Sequence, residues 1–421
     1  MKTNLKRSFN KTKPKRHPIV AFTLLYIAYL ICYIDRSAIN ISLSYIGKTF
    51  HLSQSTLGIV ASAFFLSYAL MQIPGGWLAD KFGSKLTVVI SITMWSIFTI
   101  LTGLAWSLTS LLIIRFLFGI GEGSYPSSSL KQITEEVPFD KRSQSTSELL
   151  SSNYLGMAIA PLIMAPVIAW IGWQGGFHII GILGLVFVIA YIFLLRPIND
   201  KNLNFNGKPR KTKIPWKKVL TNSMIWKFFL VVFGMNIITK GLDTWMPTYL
   251  LQTRHIDLAG TGWMVSLPPI AAGIGAALCG LLMSKFFINK EKWFIAFVSV
   301  LTTLFMFGMY KATSLFWVIT FQVLTYFFNA MAFGGSFAFF ANLVTKKAYG
   351  ASVGIVNFGG QLAGFLAPVI IGDLVQIFSG SYSIAFLFLV FAGALSFIAS
   401  LTIKTKEVQF HKEKTLNQEK N

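Results

Sequence analysis

The chain has 421 residues, of which 54% are hydrophobic, 15% aromatic and only 12% charged, with a mean hydropathy of +0.62. Soluble domains carry about 25% charged residues, so the composition argues against a water-soluble enzyme, and the ~20 apolar residues that cross a bilayer leave room for about a dozen spans. The net charge of +22 would suit nucleic acid, but the basic residues flank apolar runs and no RNA-binding motif surrounds them, so no nucleic-acid partner is expected.

Residues 1–17 form a basic tail with seven Lys or Arg. This tail and the apolar run after it resemble a signal peptide, but no small-residue cleavage site follows, so a first spanning helix is expected. Six apolar segments then run from Pro18 to Ile46, Ser55 to Ala79, Leu86 to Ala105, Leu108 to Leu130, Ser143 to Trp170 and Gly175 to Leu195. A polar linker, residues 196–222, precedes six more: Ser223 to Leu251, Gly260 to Lys285, Trp293 to Ala312, Leu315 to Leu343, Ala348 to Phe378 and Tyr382 to Ile403. Residues 404–421 are a second basic tail. All twelve segments are long enough to span as helices and lack the alternation of barrel strands. The expected fold is an all-α membrane protein with twelve transmembrane helices in two six-helix bundles, residues 18–195 and 223–403.

Alternate loops differ sharply in charge. If the N-terminus is cytoplasmic, 30 of the 37 Lys and Arg fall on that side and only Lys48, Arg254 and Lys311 on the other, which predicts cytoplasmic termini and linker. Gly76-Trp77-Leu78-Ala79-Asp80-Lys81-Phe82 after the second segment is echoed by Gly280-Leu281-Leu282-Met283-Ser284-Lys285-Phe286 after the eighth. Pro161 and Pro368 repeat at a similar offset. Duplicated halves with a site between them at the midplane are a transporter architecture.

Arg36 and Arg115 lie within apolar segments, where an unpaired cation costs at least ~2.5 kcal/mol, so each should face the bundle interior and find an anionic partner. An arginine fork also holds a carboxylate bidentately. Asp35 and Glu122 are carboxylates in the same segments. Burial favours their neutral forms and a nearby arginine the charged ones, a balance suited to proton coupling. Glu122 stands two turns from Arg115 on one helix face. Tyr33, Tyr68, Asn153 and Gln361 can hydrogen-bond a polar anion or serve as interhelical glue. Lys240 and Asp243, at helical spacing, read as a structural pair or a gate, with Lys240 alternatively an extra anion-binding cation. Cys32 and Cys279 sit in apolar runs and are expected to pack there. The five His are scattered, so no metal is expected, and with no phosphate-cradling glycine loop neither is direct ATP drive.

The run Gly76 to Lys85 resembles the loop signature of the major facilitator superfamily. That resemblance implies a conformational latch at Asp80, with Lys81, Gly83 and Lys85 completing its charged, glycine-bounded turn. Tyr33-Ile34-Asp35-Arg36, Tyr68 to Gly76, Arg115 to Glu122 and Trp245-Met246-Pro247-Thr248-Tyr249-Leu250 are similar to the anion:cation symporter branch, which includes sugar-acid/proton symporters and vesicular glutamate transporters. In the sugar-acid symporters the positions matching Tyr33, Tyr68, Asn153 and Gln361 line the central cavity.

The expectation is therefore a non-enzymatic secondary transporter in a bacterial inner (plasma) membrane, monomeric and without cofactor. It moves a small organic anion, a carboxylate such as a sugar acid, with protons by alternating access. Substrate binding falls to Arg36, Arg115, Tyr33, Tyr68, Asn153 and Gln361, and proton coupling to Asp35 and Glu122. An organophosphate/phosphate exchanger and an efflux antiporter of amphiphilic compounds are the alternatives, the second weakened by the arginine pair.

Overall fold

The computed structural model describes residues 18–138, 141–195, 219–344 and 349–403; the expectations for residues 1–17, 196–218 and 404–421 lie outside the described residues. The elements are α1 (Pro18–Phe50), α2 (Gln54–Phe82), α3 (Ser84–Gly103), α4 (Leu108–Gly123), α5 (Tyr125–Glu136), α6 (Arg142–Leu194), α7 (Ser223–Gln252), α8 (Leu258–Lys285), α9 (Glu291–Lys311), α10 (Leu315–Leu343), α11 (Tyr349–Ile377) and α12 (Ser383–Thr402). Ten helical stretches among the described residues are long and apolar enough to cross a membrane.

One expected segment differs from the observed helices, and one expected gap is matched. The fourth segment is not continuous: α4 ends at Gly123 and α5 starts at Tyr125 with Pro126 in its first turn, where a missing N–H is harmless. The fifth and sixth segments stand as two helical stretches, as expected: α6 breaks at Gly172, in the expected gap between Trp170 and Gly175, where the non-helical φ of 77° and ψ of 170° are open to glycine at little cost.

Short polar residues start several helices. Ser53 accepts from the Thr56 amide, Ser107 and Ser110 cap each other's backbone at α4, Asn222 accepts from Met224, and Asp257 from Gly260.

Helices α1, α3 and α4 pack with α6 or with one another, and α7, α9, α10 and α12 do the same in the second half. Each half has its own apolar core. Leu25, Trp95, Phe118, Tyr125 and Tyr191 centre the first, and Phe228, Met235, Phe294, Phe339 and Phe340 the second. A third core, including Ile41, Leu57, Trp173, Trp245 and Tyr249, is built from both. The halves meet where α1 packs on α7, α2 on α11 and α6 on α8. Outward-facing positions stay apolar, as at Leu70, Leu183, Ile189, Ile274 and Phe391, which is the surface a lipid environment demands.

Among the described residues, hydrogen bonds between the halves gather at one end of the molecule. Gln54 donates to Gln252 (3.1 Å), Gln252 donates to Ser44 (3.0 Å), and the Ser55 amide donates to Gln376 (3.1 Å).

Candidate functional site

Along α1, Tyr33, Arg36, Ser37 and Asn40 share one face at helical spacing, and on α4 the buried face carries Arg115, Phe118 and Glu122. α4 approaches α2 closely because Gly119 has no side chain: a β-carbon there would stand 2.1 Å from the Ser67 hydroxyl and 2.6 Å from the Phe64 carbonyl oxygen. That contact sets α4 against α2, whose Phe64 and Tyr68 rings lie beside Arg36.

Arg36 of α1 forms an ion pair with Glu122 of α4, whose side chain is 1% exposed. The Arg36 guanidinium is enclosed by Tyr33, Phe64 and Tyr68, with ring centroids 4.7, 4.8 and 4.6 Å away. These aromatic faces stabilise a desolvated cation. Cys32 donates to the same Glu122 oxygen (3.1 Å), so it does more than pack; Glu122 Oε2 has no hydrogen-bond partner among the described residues. Thr99 of α3 donates to Asp35, so the adjacent residues Asp35 and Arg36 serve different neighbours.

Arg115 is 1% exposed, lies over Phe118 at 4.4 Å, and leaves Nε and Nη1 without hydrogen-bond partners among the described residues. A buried guanidinium with unused donors is a strong local demand for an anion.

A narrow cleft between the halves is lined by Tyr33, Arg36, Phe64 and Arg115 on one wall and by Lys240 and Asp243 on the other. It shares Ser37, Asn40, Met157 and Asp243 with a second narrow cavity, which reaches Gln322 and Tyr326. On the second wall Lys240 stands 3.7 Å from Asp243, and the Tyr326 hydroxyl donates to the other Asp243 oxygen at 2.7 Å.

Of the expected binding residues, Tyr33, Arg36 and Arg115 line the cavity and Tyr68 stacks on Arg36. Asn153 and Gln361 are half-buried in α6 and α11 and are not among the lining residues of either cavity. Asp35 and Glu122 lie against this wall from behind. Sequence reasoning missed Asn40 and Gln322, although both are amides within apolar helices, the signal that singled out Asn153. It also missed Thr99, which carries no such signal in an apolar run.

The charged turn lies far along α2. Asp80, 76% exposed, accepts from Lys131 of α5 at 2.8 Å, and Lys131 also donates to the Ala79 carbonyl at 2.8 Å. Lys81 lies over Trp77 and Phe82, at 4.7 and 5.1 Å. Gly83, with φ of 90°, joins α2 to α3, where Ser84 donates to Glu135 and Lys85 is half-buried. In the repeated turn Ser284 replaces Asp80 and, among the described residues, bonds within its own helix, to Leu281.

The sequence matches the Major Facilitator Superfamily over residues 25–310 and 255–420. It is 29% identical over 406 residues to a "Probable sulfoacetate transporter" of Cupriavidus necator, covering 92% of each chain. It is 26% identical over 420 residues to a "D-galactonate transporter" of Escherichia coli O6:H1 (92% of this chain, 96% of that one), and 28% identical over 401 residues to a "Hexuronate transporter" of Bacillus subtilis (92% and 93%). The fold resembles the crystal structure of a bacterial homologue of the human lysosomal transporter Spinster in an inward-facing and occupied conformation, with a TM-score of 0.79 at 19% identity, covering 92% of this chain and 98% of that one. The chain belongs to the Major Facilitator Superfamily, as a multi-pass membrane transporter and not an enzyme, and its relatives lie in the anion:cation symporter branch.

Proposed function

We propose that the protein is a proton-coupled symporter of a small organic anion, working as a monomer in a bacterial inner membrane. The observation that carries this reading is the cavity wall where Arg36 and Arg115 stand against the buried carboxylate of Glu122. Arg115 supplies free donors to a carboxylate, and Glu122 supplies a group whose proton affinity depends on whether Arg36 stays with it. Anion arrival competes for the arginine and favours protonation of Glu122, so the two ligands assist each other's binding. Relatives named for sulfoacetate, D-galactonate and hexuronate support a small acid as substrate.

The reading places α4 with α5 as one span and α6 as two, giving twelve spans in two six-helix halves, residues 18–195 and 223–403. Cytoplasmic termini follow from the charge asymmetry of the loops. The glutamine contacts between halves then close the outer end, so the conformation faces inward, and alternating access would break them.

Proteoliposomes with an imposed pH gradient test the reading. Accumulation of labelled D-galactonate, galactarate or sulfoacetate, abolished by a proton ionophore, is the expected result. Gradient-independent exchange of organophosphate for phosphate would replace it with the exchanger reading.

A further inference from the structure

Among the described residues, each wall of the cavity holds one cationic group with no hydrogen bond to a carboxylate. On the first wall Arg36 is taken by Glu122, while Arg115 keeps two N–H-bearing nitrogens unpartnered. On the second wall Lys240 is 3.7 Å from Asp243, beyond ordinary N–H···O hydrogen-bonding distance, and its ammonium lies 5.7 Å from the ring of Phe65, which belongs to the opposite half. Asp243 does not depend on Lys240 alone, because Tyr326 donates to it at 2.7 Å. Lys240 can therefore turn toward a ligand without leaving a buried carboxylate unpartnered, which would be costly.

We infer that Lys240 is a specificity-determining residue and that the preferred substrate is a small dianion, with Arg115 and Arg36 holding one anionic group and Lys240 the other. The inference rests on the organic-anion reading above and narrows it. A monoanion satisfies one wall only. A dianion bridges the two halves, so its binding free energy differs between states in which the walls are near and far, which is the condition for a ligand to drive a conformational change. Sulfoacetate and galactarate have this form, with an anionic group at each end; D-galactonate has one.

The test compares galactarate with D-galactonate, and sulfoacetate with methanesulfonate, by titration of the purified protein. Wild type should bind each dianion at least tenfold more tightly than its monoanion. Lys240→Gln should reduce that preference to about threefold or less, by weakening dianion binding more than monoanion binding, and Lys240→Arg should retain it. The double variant Lys240→Gln/Asp243→Asn removes both charges, so it guards against misfolding from an unpaired carboxylate, and it too should lack the preference. A preference that survives Lys240→Gln, or returns in the double variant, overturns the inference and leaves Lys240 and Asp243 as a structural pair. Equal wild-type affinity for monoanion and dianion overturns it while the organic-anion reading stands. Failure of wild type to bind any of the four probes overturns both.

Discussion

Gly58 of α2 packs against Pro368 of α11 so closely that a β-carbon at Gly58 would stand 2.4 Å from the Pro368 carbonyl oxygen. The same carbonyl accepts from the Trp245 indole at 3.0 Å. The arrangement is repeated with the halves exchanged: a β-carbon at Gly262 of α8 would stand 2.8 Å from the Pro161 carbonyl oxygen of α6. The sequence repeat that links the two charged turns thus also links two glycine–proline contacts, and both are crossings between halves. They are sites where the halves approach at backbone distance, as small residues at helix crossings allow.

Gly58→Ala should disfavour this approach. The methyl meets backbone oxygen, which cannot swing aside, and overpacking of this kind costs about 1–3 kcal/mol. Such a cost weighs on the conformation in which these helices touch and shifts a two-state balance by about 5- to 150-fold. Gly58→Ala and Gly262→Ala should each lower proteoliposome uptake at least several-fold while the purified proteins remain monodisperse. Wild-type uptake in both would mean that the close approach is not needed for turnover.

Arg115→Lys keeps the charge and removes the planar fork, along with the stacking on Phe118 at 4.4 Å. A lysine cannot grip a carboxylate bidentately. Affinity for D-galactonate or galactarate, measured by titration, should fall at least tenfold with little change in thermal stability. Unchanged affinity would assign Arg115 a structural role.

Much of this was legible because a membrane helix must be apolar along its length, so charged residues such as Arg36, Arg115 and Glu122 stood out and had to be paired. Which charges pair was not legible. Spacing along α4 put Glu122 beside Arg115, whereas in the folded bundle the Glu122 side chain reaches Arg36 of α1. The break at Ser124 was marked in the sequence itself, by Gly123, Pro126 and the serines at 127–129, so a continuous segment to Leu130 overran a legible signal. The turn at Gly172 was legible, because the gap between Trp170 and Gly175 falls on it. Thr99 and Cys32 were hidden for another reason. A hydroxyl or thiol in a spanning helix usually bonds its own backbone or packs, and only the tertiary structure places these two against carboxylates.

The Asp80–Lys131 pair is exposed, and such pairs contribute only about 0–1 kcal/mol, so its value as a latch must be sought in kinetics. Asp80→Asn should slow uptake several-fold while equilibrium binding changes less than about twofold and melting temperature little. The charge exchange Asp80→Lys/Lys131→Asp should recover only part of the rate, because Lys131 also donates to the Ala79 carbonyl at the end of α2 and an aspartate there would face that carbonyl instead. Full activity in Asp80→Asn would reduce the turn to an anchor.

The Arg36–Glu122 pair carries the final prediction. Removing one partner of a buried pair outright leaves an uncompensated charge and costs about 3–5 kcal/mol, so Glu122→Ala would confuse instability with lost coupling. Glu122→Gln keeps the shape and an oxygen acceptor for Arg36 and Cys32, and it resembles the protonated carboxyl in charge. If anion binding and protonation of Glu122 favour each other, the Gln variant is fixed in the substrate-accepting charge state. It should bind substrate at least as tightly as wild type, exchange labelled substrate across a proteoliposome membrane, and fail to concentrate it when a pH difference is imposed. Asp35→Asn serves as the comparison, because Asp35 accepts from Thr99 and stands outside the Arg36 pair. Accumulation by Glu122→Gln at the wild-type level would move the coupling role from Glu122 to Asp35, and loss of accumulation in Asp35→Asn alone would complete that reassignment.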